Sequence, residues 1–266
     1  MTSKIQRRDF VVGSFVGATA LTGSAAASAG CLSGDGDARE LIEVRAFRNT
    51  DPAKQAAVLA HVEAALLPAL DRQGLERVGV FTSVEPADAS VYLVIPYATP
   101  EQLLHHNDLL ESDEAYQSAA ADHLAVSMED PPYTRIESRL MRAFSGMPRL
   151  EVPARESAER ILELRIYESH NEHKARLKVE MFDDGEIDLM REVGLGPVFF
   201  GETLISSDVP NLTYMLSADS VAAHKAHWNG FLAHPEWDRM KNLERYKGTV
   251  SKIASMTMRP AAGSQL

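Results

Sequence analysis

The chain contains one pattern of strands and helices twice, and this internal repeat restricts the possible fold more than any other feature of the sequence. Residues 41–47 (LIEVRAF) read almost as residues 161–167 (ILELRIY), which lie 120 positions later. The same separation carries Gly74-Leu75 onto Gly194-Leu195. Further matching pairs are His106 with His227, Leu110 with Phe231, and Tyr116 with Trp237. So many matching positions predict two copies of one structural unit.

Each copy has the pattern strand, helix, strand, strand, helix, strand. In the second copy we expect the elements as follows: a strand at 161–167, a helix at about 172–193, strands at 197–204 and 212–216, a helix that carries His224 and Trp228, a short helix restarted by Pro235, and a strand at about 250–259. This order is typical of the split βαβ, or ferredoxin-like, arrangement. The predicted fold class is therefore α+β, with two tandem ferredoxin-like units.

The repeat and the prolines between its two copies predict the domain organisation. We expect a signal peptide at 1–30, a flexible linker at 31–40, a first ferredoxin-like unit at 41–145, a connector bounded by prolines at 146–160, and a second unit at 161–262.

The N-terminal segment has the features of an export signal. Arg7 and Arg8 precede Asp-Phe and an apolar run diluted by glycine, and the segment resembles a twin-arginine (Tat) signal. We therefore expect an exported protein, periplasmic or otherwise extracytoplasmic, with no transmembrane span after processing. Cys31 ends a lipobox-like sequence in which Ser28 stands where the pattern has leucine. A plain cleaved signal and a lipid anchor at Cys31 both stay open.

The charge balance limits the classes of partner. The formal net charge is −11 and the pI is about 5.3. Nucleic acid is not expected as a partner, because a phosphate backbone requires a basic patch. Cys31 is the only cysteine, so a disulfide within the chain is excluded.

Three segments of the second copy carry a family resemblance. Residues 163–170 (ELRIYESH), 194–201 (GLGPVFFG) and 211–216 (NLTYML) resemble the NIPSNAP family, as do His224, Trp228 and the Pro-Glu-Trp at 235–237. The resemblance implies the dimeric α+β barrel fold, in which two ferredoxin-like units face each other. With two units present, the barrel could close within one molecule, and a homodimer is a further possibility. The wider superfamily includes small-molecule monooxygenases, haem-handling enzymes and proteins with no catalytic activity.

The alternation on the first strand of each copy suggests where charges lie in such a barrel. If Leu162, Leu164 and Ile166 pack under the helices, Glu163 and Arg165 face the lumen. Glu43 and Arg45 repeat this arrangement in the first copy. The four charges then either bind a small polar ligand or form a structural ion-pair network.

The spacing of the histidines suggests possible metal ligands. His170 and His173 are three apart, as are His224 and His227, while Glu168 and Glu202 could add a carboxylate. No HExxH motif or cysteine cluster accompanies them, so we predict no metal site. The sequence identifies no cofactor.

Two hypotheses on function follow. The first is a protein that binds or transforms a small molecule in the barrel lumen, with a monooxygenase- or oxidoreductase-like activity that needs little cofactor. The candidate catalytic residues are Arg165, Tyr167, His170 and Tyr214. The candidate ligand-binding residues are Glu43, Arg45, Glu163, Arg165, Glu202, His224, His227 and Trp228. The second hypothesis is a non-catalytic interaction or structural protein of the cell envelope with a packed barrel. A lumen cavity of a few hundred Å³ would favour the first, and we expect any site to lie mainly in residues 161–260.

Overall fold

The computed structural model describes residues 38–154 and 157–266. The predicted signal peptide, Cys31 and most of the predicted linker lie outside this range, so export and lipidation stay predictions. Within the described ranges, no helix is both long enough and apolar enough to cross a lipid bilayer.

The strands and helices follow the repeated order that the sequence predicts. The strands are β1 (Leu41–Arg48), β2 (Gly79–Ser83), β3 (Val91–Tyr97), β4 (Arg135–Ala143), β5 (Ile161–Glu168), β6 (Gly196–Ile205), β7 (Asn211–Ala218) and β8 (Lys252–Pro260). The helices are α1 (Pro52–His61), α2 (Leu67–Arg72), α3 (Pro100–Ser112), α4 (Glu114–Ala119), α5 (Ala121–Leu124), α6 (Glu172–Met181), α7 (Ile187–Glu192), α8 (Val221–Ala233) and α9 (Pro235–Lys241), with a 3₁₀ turn at Glu244–Tyr246.

Capping residues in the sequence explain where the main helices begin. The side chains of Asp51, Thr99, Asn171 and Ser220 each accept a hydrogen bond from a backbone N–H in the first turn of the helix that follows. Such caps satisfy donors that have no partner within the helix. Pro52, Pro100 and Pro235 stand at first helical positions, where a missing N–H costs nothing.

The helix predicted at 172–193 is interrupted. A π-helical segment, Phe182–Glu186, separates α6 from α7, and Gly185 within it has a φ of 130°. The first half has the same interruption, since a π-helical segment at Val62–Leu66 separates α1 from α2. Hydrophobic periodicity identifies one long helix in each half but does not show that its winding changes in the middle.

The eight strands form one closed antiparallel barrel in the order β1-β3-β2-β8-β5-β7-β6-β4. Each half contributes a four-stranded sheet with the ferredoxin-like order, β4-β1-β3-β2 and β8-β5-β7-β6. The predicted fold, with two tandem units that close one barrel within the chain, is confirmed.

Two seams join the halves and leave the barrel without a free strand edge. At one seam, β2 pairs with β8 from Phe81–Pro260 to Ser83–Met258. At the other, β4 pairs with β6, with a bulge at Leu140 and Met141. Gly201 lies opposite Ala143 here, and a Cβ atom on Gly201 would lie 2.6 Å from the Cβ of Met141. The sheet backbones therefore approach closely at this seam.

Apolar side chains fill three layers: the barrel lumen and one layer between each sheet and its helices. The lumen core contains, from both halves, Ile42, Val44, Ala46, Phe81, Val94, Met141, Leu162, Leu164, Val198, Phe199, Met215 and Met258. The helix layers are separate clusters centred on Leu70 and Leu93 in the first half and on Phe182 and Phe200 in the second. Both faces of each central strand are therefore buried.

Candidate functional site

The predicted orientation of the first strands is wrong. Leu162 and Leu164 face the lumen, whereas Glu163, Arg165 and Tyr167 lie between the sheet and the helices. Glu43 and Arg45 of β1 likewise lie on the outer face of the sheet. Because both faces of β1 and β5 are buried, alternation separates two faces without showing which one is inside. Apolar side chains occupy the narrow lumen, where unpaired charges would be costly.

Four of the predicted residues form a compact group on the outer face of β5, which we call the outer-face cluster: Glu163, Arg165, His224 and Trp228. Arg165 donates from Nη1 to Glu163 Oε1 at 2.7 Å. His224 Nε2 and Trp228 Nε1, both from α8, lie 2.7 and 3.0 Å from Glu163 Oε2. The Arg165 guanidinium stacks 4.6 Å from the centre of the Trp228 ring. Sequence reasoning therefore selected residues that do come together, although outside the lumen.

The electrostatics of the outer-face cluster favour an ionised carboxylate. Burial opposes the charge on Glu163, but the hydrogen bond from His224 and the charge of Arg165 outweigh it, so the pKa of Glu163 lies below its ordinary value. An ionised carboxylate only accepts hydrogen bonds, so His224 carries its proton on Nε2 and donates it to Glu163. None of these four side chains lines the cavity described below. The geometry is that of a structural network, and ligand binding by these residues stays a prediction.

The candidate catalytic residues are only partly together. Tyr214 donates from its hydroxyl to that of Tyr167 at 2.8 Å, and Arg165 Nη2 lies 3.4 Å from the same Tyr167 oxygen. Burial raises the pKa of both tyrosines above the ordinary value of 10, so neither hydroxyl is a base at neutral pH. His170 is exposed in the turn after β5 and lies outside this hydrogen-bonded group.

The first half has a related but different arrangement. Arg45 forms a two-point ion pair with Glu43, at 3.0 and 2.9 Å, and Glu43 also accepts from Tyr97 and Ser138. His106 is almost completely buried, and its Nδ1 lies 2.9 Å from Gln73 Oε1. Burial and the nearby charge of Arg45 lower the pKa of His106 to about 4, so the ring is neutral.

The remaining candidates are spread over the molecule. Glu202 of β6 accepts from Arg142 of β4 at 2.9 Å across the seam. His227 is half-buried in α8 against the turn at Gly194, and His173 is exposed. Among the described residues, no group of three or more His, Cys, Asp or Glu side chains is arranged to hold a metal ion.

The lumen is not filled along its whole length. At the end where β1 and β5 finish and β4 begins, a cavity of about 430 Å³ opens between the two sheets. We call it the barrel-mouth cavity. Its wall contains apolar side chains from both halves, namely Val44, Ala46, Leu164, Ile166 and Met256. Its rim contains Arg48, Tyr92, Arg135, Glu137, Arg139, Ser206 and Ser207.

Ion pairs hold the rim side chains in place. Arg48 donates from Nε to Glu137 and from Nη1 to the Tyr92 hydroxyl, both at 2.6 Å. Arg139 donates to Asn211 at 3.0 Å and to Asp208 at 2.7 Å. Burial and the hydrogen bond to Asp88 raise the pKa of Tyr92 to about 12, so its hydroxyl stays protonated. The rim therefore holds guanidinium donors in fixed positions beside an apolar wall, while the Tyr92 proton is donated to Asp88.

The first hypothesis placed a small-molecule site in the barrel lumen, but its candidates include none of the residues that line this cavity, and it expected the site mainly in residues 161–260. Most of the lining residues belong to the first half. The strand registers place Val44 and Ala46 at the positions that Leu164 and Ile166 occupy in the other half. The smaller side chains of β1 leave part of the lumen open. In the sequence, Ala46 stands where the second copy has Ile166, and this difference is the signal that could have indicated the cavity.

The closed barrel of two ferredoxin-like sheets defines the class of protein, a dimeric α+β barrel whose two units are joined in one chain. Comparison with protein families adds a finer similarity: residues 162–265 match the NIPSNAP family model. The matched region covers less than half of the chain.

Solved structures share the fold across most of the chain. A putative monooxygenase from Lactobacillus acidophilus NCFM matches with a TM-score of 0.56 at 7% identity, over 84% of this chain and 94% of that one. A putative monooxygenase from Fusobacterium nucleatum matches with a TM-score of 0.53 at 9% identity, over 84% and 93%. An uncharacterized NIPSNAP-like domain protein from Burkholderia xenovorans is 19% identical over 40% of this chain and 89% of that one, with a TM-score of 0.37. No curated protein matches the sequence. At such identities the first two structures are evidence for the fold alone.

Proposed function

We propose that this protein binds a small molecule in the barrel-mouth cavity, with the apolar part of the ligand against Ala46, Leu164 and Met256. The cavity itself, about 430 Å³ in an otherwise packed lumen, is the observation that carries the proposal. Its volume lies in the range of small-molecule sites, which are mostly apolar with a few fixed polar groups. The predicted export signal at 1–30 would place this binding outside the cytoplasm, and that location is part of the proposal.

Binding is proposed in preference to catalysis. The rim offers guanidinium groups, which orient a ligand but do not abstract a proton, and its carboxylate, on Glu137, already accepts a hydrogen bond from Arg48 at 2.6 Å. The description of two structural neighbours as putative monooxygenases suggests oxygenation as an activity to assay once a ligand is known. The outer-face cluster, with its carboxylate already bonded, better fits a structural role.

Filling the cavity tests the proposal. Ala46→Ile would place on β1 the side chain that β5 carries at Ile166, and it would extend into open space rather than into packed atoms. Nile red, a neutral dye that fluoresces in apolar surroundings, serves as the ligand. We expect wild-type protein to bind the dye and Ala46→Ile to lower its affinity by about tenfold or more, because the apolar contact surface is lost.

Ala222→Ile is the matched control, because Ala222 is exposed on α8 and takes the same change away from the cavity. It should bind the dye as wild type does. Equal dye binding by Ala46→Ile and wild type, with both folded by circular dichroism, would contradict a site in the barrel mouth.

A further inference from the structure

Three arginine side chains lie at the open end of the barrel-mouth cavity, in a protein that is acidic as a whole. Three arginines, Arg48, Arg135 and Arg139, belong to its lining, against one carboxylate, that of Glu137. The chain as a whole has a formal net charge of −11. Asp208 pairs with Arg139 at 2.7 Å and Asp88 accepts a hydrogen bond from Tyr92 at 2.6 Å, so carboxylates beside the rim balance the three arginines in number. An anion is favoured here by the guanidinium N–H groups that these contacts leave unused.

The rim arginines are held in position but retain hydrogen-bonding capacity. A guanidinium has five N–H donors. Arg48 uses its Nε on Glu137 and its Nη1 on Tyr92, and Arg139 uses Nη1 on Asn211 and Nη2 on Asp208. These bonds leave other N–H groups on each guanidinium. Arg135 is 71% exposed, and its nearest carboxylate oxygen, on Glu137, is 3.9 Å away.

The fold does not require a charge at two of the rim positions. The registers of β1 with β4 and of β5 with β8 place Met256 at the position equivalent to Arg139, and Ala254 at the position equivalent to Glu137. The second copy therefore closes its part of the barrel with apolar side chains at these two positions. At the positions equivalent to Arg48 and Arg135 the second copy also carries charges, on Glu168 and Lys252, and its Ser206 and Ser207 complete the polar rim.

We propose that the ligand of the barrel-mouth cavity is an amphipathic organic acid, whose carboxylate binds at Arg48, Arg135 and Arg139 while its apolar body lies against Ala46, Ile166 and Met256. Guanidinium groups match the planar geometry of a carboxylate and bind it with charge-assisted hydrogen bonds. This inference rests on the proposed small-molecule binding in the same cavity and adds the class of ligand.

Three molecules with one apolar chain and different head groups test the ligand class: octanoate, octanol and octylamine. Their affinities are measured by isothermal titration calorimetry at neutral pH and low ionic strength. Octanoate should bind about 10- to 100-fold more tightly than octanol, which is the factor expected for hydrogen bonds to a charged group. Octylamine should bind more weakly than octanol. Added salt should weaken octanoate binding alone.

Charge removal at the rim tests the location. The double variant Arg48→Gln/Arg135→Gln removes two partly exposed charges, so we expect it to fold. It should lose about tenfold in affinity for octanoate and keep its affinity for octanol. The control Arg142→Gln/Arg191→Gln removes two charges of similar exposure that lie away from the cavity. The control should bind both molecules as wild type does.

The outcomes separate the two proposals. If octanol binds and Ala46→Ile abolishes its binding, but octanoate binds no more tightly, the acid class is wrong and the cavity proposal stands. If the control pair weakens octanoate as much as the rim pair, the carboxylate is not at the rim. If neither octanol, octanoate nor Nile red binds, the proposed function itself fails.

Discussion

At the scale of single residues, the two halves differ most where Glu163 meets α8. In the first half, Leu103 stands at the position aligned with His224 and Asn107 at that of Trp228, and Glu43 takes its hydrogen bonds from Tyr97 and Ser138 instead. Both buried carboxylates keep an arginine partner two residues along the strand. The ion pair is therefore the shared element, and its other partners have diverged.

Glu163→Gln should destabilise the protein by about 3–5 kcal/mol at neutral pH, because it leaves Arg165 in a largely buried position without its counter-charge. The folded-state pKa of Glu163 lies below 4.5, so ionisation of this group adds stability above that pH. The contribution is lost as the pH falls through the folded-state pKa. We therefore expect the difference in unfolding free energy between wild type and Glu163→Gln to shrink below about pH 4.5.

Urea unfolding at a series of pH values measures that difference. Glu137→Gln is a suitable control, because Glu137 is exposed on the rim and its ion pair with Arg48 should contribute less than about 1 kcal/mol. A difference for Glu163→Gln that stays constant down to the acid limit would show that the carboxylate is not ionised in the folded protein.

The outer-face cluster also shows how far the sequence predicts a site. Glu163, Arg165, His224 and Trp228 were chosen from strand alternation and helical spacing, and they do meet. The face of the sheet on which they lie was predicted wrongly. Both faces of β5 are buried, so the alternation of residue types does not show which face packs against the helices. Ala46 in place of an isoleucine indicates a loss of volume in the first half, but the position and size of the barrel-mouth cavity depend on the summed volumes of side chains from distant segments.

At the scale of elements, the interrupted helix of the second half contains a buried ion pair that the first half lacks. Lys178 Nζ lies 2.6 Å from Glu186 Oε2, and both side chains are almost completely buried. The ammonium lies 4.5 Å from the centre of the Phe182 ring. Burial raises the pKa of Glu186 although Lys178 opposes the shift. The aligned residues in the first half are Val58 and Leu66, which belong to its apolar core.

Lys178→Val and Glu186→Leu should each destabilise the protein by about 3–5 kcal/mol, because each leaves a buried charge unpaired. The double variant, which restores the pair found in the first half, should be as stable as wild type or more stable, by up to about 4 kcal/mol. A double-mutant cycle from urea unfolding gives the coupling energy. Additive losses in the double variant would show that the two charges are not coupled.

At the scale of the whole molecule, the two seams make the halves parts of one barrel. Each seam joins an edge strand of one half to an edge strand of the other, so neither half has its full set of strand partners alone. The lumen core also takes side chains from both halves. We therefore expect the halves to unfold together.

Trp228 and Trp237 are the only tryptophans, and both lie in the second half, so tryptophan fluorescence reports on that half while far-ultraviolet circular dichroism reports on both. The two signals should give one coincident urea transition. In Gly201→Ala the new Cβ would clash with Met141 at the seam. This variant should shift both signals together to a lower urea midpoint, with a loss of about 1–3 kcal/mol in the free energy of unfolding.

Gly230→Ala is the matched control, because its Cβ would make only an ordinary contact with the Cβ of Val193, at 3.9 Å, and α8 gains about 0.5–1 kcal/mol from alanine. Separate transitions for fluorescence and circular dichroism would contradict a barrel that folds as one unit.

The sequence by itself determined that the chain contains two ferredoxin-like units, because the repeat and the strand and helix periodicities are local patterns. It also included Glu163, Arg165, His224 and Trp228 among eight candidate ligand-binding residues, which it placed at the lumen. Only the tertiary structure decided that the charges of β1 and β5 lie under the helices and that Val44 and Ala46 leave the mouth of the lumen open. Periodicity separates the two faces of a strand, but packing between segments far apart in sequence decides which face becomes the inside of the barrel and where that inside stays empty.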